Sequence, residues 1–237
     1  MTFQELINRV LIAVGQGDDQ VNGVSTDTYH LKIAQFVNDI LQEVEGAAPW
    51  RSLHTRINVT ISAGGVSGTV TGANERSTVV RINNPDTGQE VPLVFDITDE
   101  SNQAPLSEID TAELKYLDQI NNNELGQTGI PQYFALDAGA TGLTLYVFPR
   151  ADVERTIQLD LVVPQSPLDA SDTDDLATAI KVPTQPVVYG ATWWAMEDRG
   201  EELGPRGEKA EARYRNLLAE AVARELASQG LDSLVPQ

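Results

Sequence analysis

The stretch IPQYFALDAGATGLTLYVFPR, Ile130 to Arg150, decides how the middle of this chain folds. An apolar-aromatic arm leads into a small polar turn, a second apolar-aromatic arm follows, and Pro149 stops it. Two such arms around a short turn predict a β-hairpin. Outward from it, DTAELKYLDQI (Asp110 to Ile120) opens on the capping-box pair Asp110 and Glu113 and predicts a short helix. TIQLDLVV (Thr156 to Val163) alternates cleanly and is expected to pair with Leu143–Phe148. Upstream, Leu53, Thr55, Ile57, Val59 and Ile61 alternate with polar residues as in a half-buried strand. STVVRI and VPLVFDIT read as further short strands. Gly64, Gly65, Gly68 and Gly72 around AGGVSG match no phosphate-binding fingerprint and read as a mobile loop tip.

Both flanks have a helical period. Phe3, Leu6, Ile7, Val10, Leu11 and Val14 form one stripe behind the capping box Thr2 and Glu5. Tyr29, Ile33, Phe36, Val37, Ile40, Leu41 and Val44 form a second, capped by Thr26 or Asp27 and closed by Pro49. After the polar loop PQSPLDASDTDD, the period returns in VVYGATWWAMEDRGEEL, with Pro186 suited to a first helical turn. A last helix runs from about Arg206 to Ser228, with Glu211–Arg215 and Glu220–Arg224 at the favourable four-residue spacing. The expected class is α+β. Residues 1–50 and 184–237 form a helical bundle, and residues 51–183 form an inserted antiparallel β-rich region containing one short helix.

Composition narrows the function. The chain has 237 residues, no cysteine, two histidines and a net charge of −19. Without cysteine there are no disulfides, thiolate zinc sites or cysteine nucleophiles, which fits a reducing cytosol. No apolar run reaches the roughly 18 residues that span a bilayer, and the N-terminus lacks the basic region of a signal peptide. Residues 84–175 hold 18 acids against 3 bases, whereas the regions on either side are nearly balanced. Such a middle repels duplex DNA, which excludes conventional sequence recognition, and it also serves as a solubilising surface.

Residues that do chemistry are sparse. His30 and His54 have no local Ser or Asp pattern and read as structural or exposed. No GxSxG, HExxH or P-loop occurs. DASDTDD (Asp169 to Asp175) could wrap calcium, but it lacks the EF-hand glycine and terminal glutamate and reads as a solvated loop. Trp193 and Trp194 could stack on a sugar or base, and their helical spacing with Val187 and Ala191 favours core packing. No cofactor, metal or catalytic residue is expected.

Several segments together resemble a known family. They are EGAAPWRSL after the second helix, IPQYFALDAGATGLTLYVFPRAD with TIQLDLVVPQSPL, then IKVP, and YGATWWAMEDRGEE before a charged helix holding Tyr214. The chain resembles the head–tail connector, or adaptor, proteins of short-tailed phages, of the tail tubular protein A type. The resemblance implies a structural virion protein of the tail or neck, assembled in the host cytoplasm. It implies a ring of subunits, commonly a dodecamer, between the portal and the distal tail or nozzle protein, continuing the channel for passing DNA. No membrane is involved.

Three surfaces are candidates for that role. Arg206, Lys209 and Arg213 form a basic stripe for subunit contact, since a head-to-tail ring uses two different faces. Asp169, Asp172, Asp174 and Asp175 are candidates for a channel-facing loop. Leu231, Leu234 and Val235 in the tail are candidates for portal docking. A tail-associated glycan hydrolase with a carboxylate pair and a monomeric binding module are the competing classes.

Overall fold

A computed structural model describes residues 1–84, 88–99, 103–124, 128–139, 142–200 and 204–228. The chain forms two compact units, Met1–Ser52 with Gln165–Gln237, and Leu53–Pro164. The first begins with α1 (Phe3–Ala13) and α2 (Thr28–Gly46). The second holds β1 (His54–Ile61), β2 (Ser67–Thr69), β3 (Thr78–Val79), β4 (Arg81–Asn83), β5 (Glu90–Pro92), β6 (Val94–Asp96), β7 (Ala104–Pro105) and β8 (Ser107–Glu108). It continues through α3 (Thr111–Glu124), β9 (Thr128–Gly129), β10 (Tyr133–Gly139), β11 (Gly142–Phe148), β12 (Arg150–Ala151) and β13 (Arg155–Val162). The chain then returns to the first unit with α4 (Thr173–Ala177), α5 (Thr184–Asp198) and α6 (Pro205–Ser228). The class is α+β, with N- and C-terminal helices around an inserted β-rich segment.

The helical unit follows from its stripes. The capping box of α1 closes as its sequence demands: the Glu5 amide donates to Thr2 Oγ1, and the Thr2 amide donates to Glu5 Oε2. Asp27, not Thr26, caps α2, accepting from the amides of Tyr29 and His30. Phe3, Leu6, Ile7, Ile33, Val37 and Ile40 are fully buried. Each contributes about 1.5–3 kcal/mol relative to exposure. α5 packs on α1, α2 and α6. That central place explains why its sequence shows no one-sided stripe: Val187, Gly190, Ala191 and Ala195 are all buried. Trp193 stacks on Tyr214 with centroids 6.5 Å apart, and Trp194 meets Phe36 edge-on at 6.1 Å. Both indoles are packing residues. The segment after residue 164 is fastened to α2, where Asn38 exchanges two hydrogen bonds with Leu168 and Glu45 accepts the Gln165 amide.

In the β-rich unit the hairpin forms as read, β10 against β11 from Tyr133↔Phe148 to Gly139↔Gly142. It joins a four-stranded sheet in the order β2-β11-β10-β8. The expected partner of Leu143–Phe148 is wrong, however. Residues 155–162 form β13, which lies inside a five-stranded sheet, against β1 on one side and β6 and β3 on the other. β1 pairs with β13 along its whole length, from His54↔Val162 to Ile61↔Arg155, and the Val163 amide donates to the Leu53 carbonyl. Alternation fixed which face of β13 is buried, and long-range pairing fixed its neighbour. Phe134, Leu145 and Val147 belong to one core with Ile61, Ile157 and Leu159. α3 packs on β10 and β11 and buries Leu114. β8 pairs with β10, and β9 with β12, in parallel; the other ladders are antiparallel.

Three further expectations change. STVVRI and VPLVFDIT each divide into two short strands belonging to different sheets. AGGVSG is not a loose tip throughout, since Gly68 lies in β2. A β-carbon there would stand 2.6 Å from Val59 Cγ1 and 3.1 Å from the Thr60 carbonyl, so glycine permits the close approach of two strands. The acidic loop contains a short helix, α4, capped by Asp172.

Candidate functional site

α6 carries the basic stripe. Gly207, Ala210 and Tyr214 are its buried residues. Arg206, Lys209 and Arg213 each precede one of these, a rotation of about 100°, and all three are exposed. The structure brings them together on one face about 10 Å long. None of the three is paired with any carboxylate among the described residues. The four-residue ion pairs of this helix form elsewhere, Glu211 with Arg215 at 2.6 Å and Glu220 with Arg224 at 3.3 Å.

Asp174 and Asp175 lie in α4, Asp172 caps it, and Asp169 precedes it. Asp169, Asp172 and Asp174 are exposed, and Asp175 is half-buried. Asp169 Oδ1 accepts from the Ser171 amide, Asp172 Oδ1 from the Asp174 amide, and Asp175 Oδ2 from the Asp169 amide. The Ser171 backbone bond holds the Asp169 carboxyl below its ordinary pKa. These turns account for the acidic spelling of the segment. No group of three His, Asp or Glu side chains among the described residues is placed to hold a metal. Leu231, Leu234 and Val235 lie outside the described residues.

In the β-rich unit the three bases of residues 84–175 are all committed locally. Arg150 forms a two-pronged pair with Asp118 at 2.7 and 2.9 Å. Lys115 pairs with Asp137 at 2.8 Å and lies 4.8 Å above the Tyr146 ring. Arg155 reaches both Asp96 at 3.2 Å and Asp152 at 2.7 Å. Asp96 is 3% exposed and also caps the Thr98 amide, so its charge is compensated twice. Arg56, from β1, pairs with Asp160 at 2.7 and 3.1 Å beside a surface hollow of about 360 Å³ that His54 also lines. The hollow's arginine is already neutralised, which disfavours an anion there.

His30 is a structural histidine, as its sequence setting predicts, and its partners are Ser25 and Asp19. Its Nδ1 lies 2.8 Å from Ser25 Oγ, and its Nε2 lies 3.0 Å from the Asp19 carbonyl and 3.2 Å from Asp19 Oδ2. A line of Ser, His and Asp has the outline of a charge relay. Here Ser25 is 9% exposed, and its Oγ also accepts the Asp27 amide. The arrangement clamps the 15–27 loop to the start of α2. No periodic signal announces it, because Asp19 sits eleven residues away in a loop.

Among the described residues, no helix is long and apolar enough to cross a membrane. Comparison with curated proteins returns no match. The family model described as SU10 adaptor protein matches residues 1–235. A match over nearly the whole length of an α+β chain leads to one conclusion: the chain belongs to the SU10 adaptor protein family, and its role is that of a phage head–tail adaptor.

Proposed function

We propose that this adaptor acts as a ring, placed between the portal and the next tail protein of the virion neck and continuing the passage for DNA. The observation that carries the reading is the family match across residues 1–235. A ring follows from the adaptor role because a portal-facing component must continue a closed channel, and repeated head-to-tail contacts close one. Twelve copies is the number that the resemblance implies. A chain of net charge −19 suits the passage of DNA, since it repels phosphate and does not retain it. The role is structural, without turnover.

Portal binding falls to the C-terminal segment with Leu231, Leu234 and Val235, on the same resemblance. The test is electron microscopy of the purified chain mixed with the portal of its own virion. Rings stacked on the portal support the reading. A chain that stays monomeric with the portal present overturns it. Deletion of residues 230–237 is expected to leave a folded subunit that no longer co-purifies with portal, and unchanged co-purification removes that segment from the portal contact.

A further inference from the structure

Two local rules of helix chemistry are broken at one place. Arg206 stands in the first turn of α6, where the helix dipole favours acids. Lys209 and Arg213 stand four residues apart, where like charges repel. The same helix places Glu211 before Arg215 and Glu220 before Arg224, so its sequence does supply paired charges. All three cations of the stripe are exposed and unpaired among the described residues. A helix that gives up stability to hold three cations unpaired among the described residues is shaped for a partner, because departures from local preference collect at functional places.

We propose that the Arg206–Lys209–Arg213 stripe of one copy docks on the α4 flank of a second copy, against Asp172 and Asp174. This rests on the ring reading and names its two faces. Charge complementarity and position choose the occupant. The Asp174 carboxylate and the second oxygen of Asp172 carry no partner among the described residues. α4 packs on α1, α1 on α5, and α5 on α6, so the cations and the acids lie on different helices of one unit, with α1 and α5 as the packing link between them. Two different, complementary faces are what a head-to-tail contact requires, and one rotation repeated through them closes a ring. DNA is the poorer occupant, since the field of a chain at −19 opposes it. Exposed ion pairs add little affinity, so this contact sets register and orientation and weakens with salt. The aspartates read from the sequence as channel-facing then lie at the contact between copies.

The absence of cysteine makes the test direct. Asn216→Cys lies one turn beyond the stripe and Thr173→Cys opens α4; both positions are exposed, and all the charges remain. The full chain carrying both is treated with a short bismaleimide, and the untreated chain is sized by sedimentation. The proposal expects a ladder of covalent oligomers from the double variant, and dimers alone from a mixture of the two single variants. Both are lost when R206E, K209E and R213E are added, and both fade in about 1 M salt, where the screening length shrinks to about 3 Å. Oligomers by sedimentation without the 216–173 link overturn the proposal and leave the ring standing. A chain that is monomeric at every concentration, with portal and without, overturns both. A ladder indifferent to the triple reversal, or a reversal that alters only DNA retention or portal binding, also overturns it.

Discussion

Gly190 of α5 faces Ile40 of α2 so closely that a β-carbon built on the glycine stands 2.7 Å from Ile40 Cγ2 and 3.2 Å from Tyr214 Cδ2. The three helices α2, α5 and α6 meet at this one missing side chain.

Gly190→Ala sets two effects against each other. Alanine gains about 1 kcal/mol of helix propensity in mid-helix. Overpacking costs about 1–3 kcal/mol, and Ile40 is fully buried with no free direction to move. The steric cost wins, so the variant is expected to lose about 1 kcal/mol in chemical denaturation, and Ile40→Val in the same chain recovers part of it. A G190A chain more stable than the parent contradicts this close packing.

Tyr214 contributes its ring and not its hydroxyl. The side chain is 3% exposed, and its hydroxyl, although near the Glu43 carboxylate, makes no hydrogen bond of good geometry among the described residues. Burial, and secondarily the nearby Glu43 carboxylate, push its pKa above the ordinary phenol range, so the group stays neutral. Removing a buried, unsatisfied hydroxyl relieves a desolvation cost of about 1–3 kcal/mol. Tyr214→Phe is therefore expected to raise the unfolding midpoint while keeping the stack on Trp193. A lowered midpoint would falsify the statement that the hydroxyl is unpartnered.

Arg155 makes stability depend on acid. The Arg155 side chain holds the Asp152 carboxyl below its ordinary 3.8. A carboxyl whose folded pKa is depressed adds stability above its unfolded value, and the addition is lost as pH falls through the folded value. Wild type should thus lose more stability than Asp152→Asn on going below about pH 4. Equal losses in paired acid titrations would remove the effect. Asp96→Ala leaves Arg155 with one partner fewer in a side chain only 12% exposed, and is expected to cost about 3 kcal/mol at neutral pH.

His30→Ala should release the loop at residues 15–27 without unfolding α5 and α6. Two hydrogen-bonded anchors are lost, at a cost of about 2 kcal/mol. Amide exchange should quicken at Val21 and Ser25 and stay unchanged at Ala191 and Ala195. Unchanged exchange in the loop would show that the clamp does not hold it.

The helices α1 and α2 were legible because each carries its own signal, whereas the five-residue α4 was not. The Thr2 and Glu5 pair, the Asp27 cap and stripes such as Phe3–Leu6–Ile7 are local, and local geometry realises them. The hairpin was legible for the same reason. The partner of β13 was not, because β1 lies about a hundred residues away and nothing in either strand names the other. Strands of two or three residues such as β3 and β4 fall below any window in which a period is visible. Of the candidate surfaces, the stripe on α6 was legible as a helical spacing. That its cations are unpaired among the described residues, and that α4 is linked to α6 through α1 and α5, needed the packing. Asp96 and Arg155 meet across 59 residues, and the clamp on His30 joins two loop residues; neither leaves a trace in a linear pattern.

The hydrogen bond from Val163 to Leu53 closes the rung next to His54↔Val162, so the β-rich segment leaves the chain and rejoins it at neighbouring positions of a single ladder. Opposed residues in such a ladder lie about 5 Å apart, a gap that two or three residues can bridge. The segment is therefore a cassette. It can be lifted out with its ends already together and the helices resealed by a short turn, or replaced by another module whose termini meet. Insertion and exchange at this junction cost little loop-closure entropy, which gives a lineage of such chains a physical route to change one unit while keeping the other.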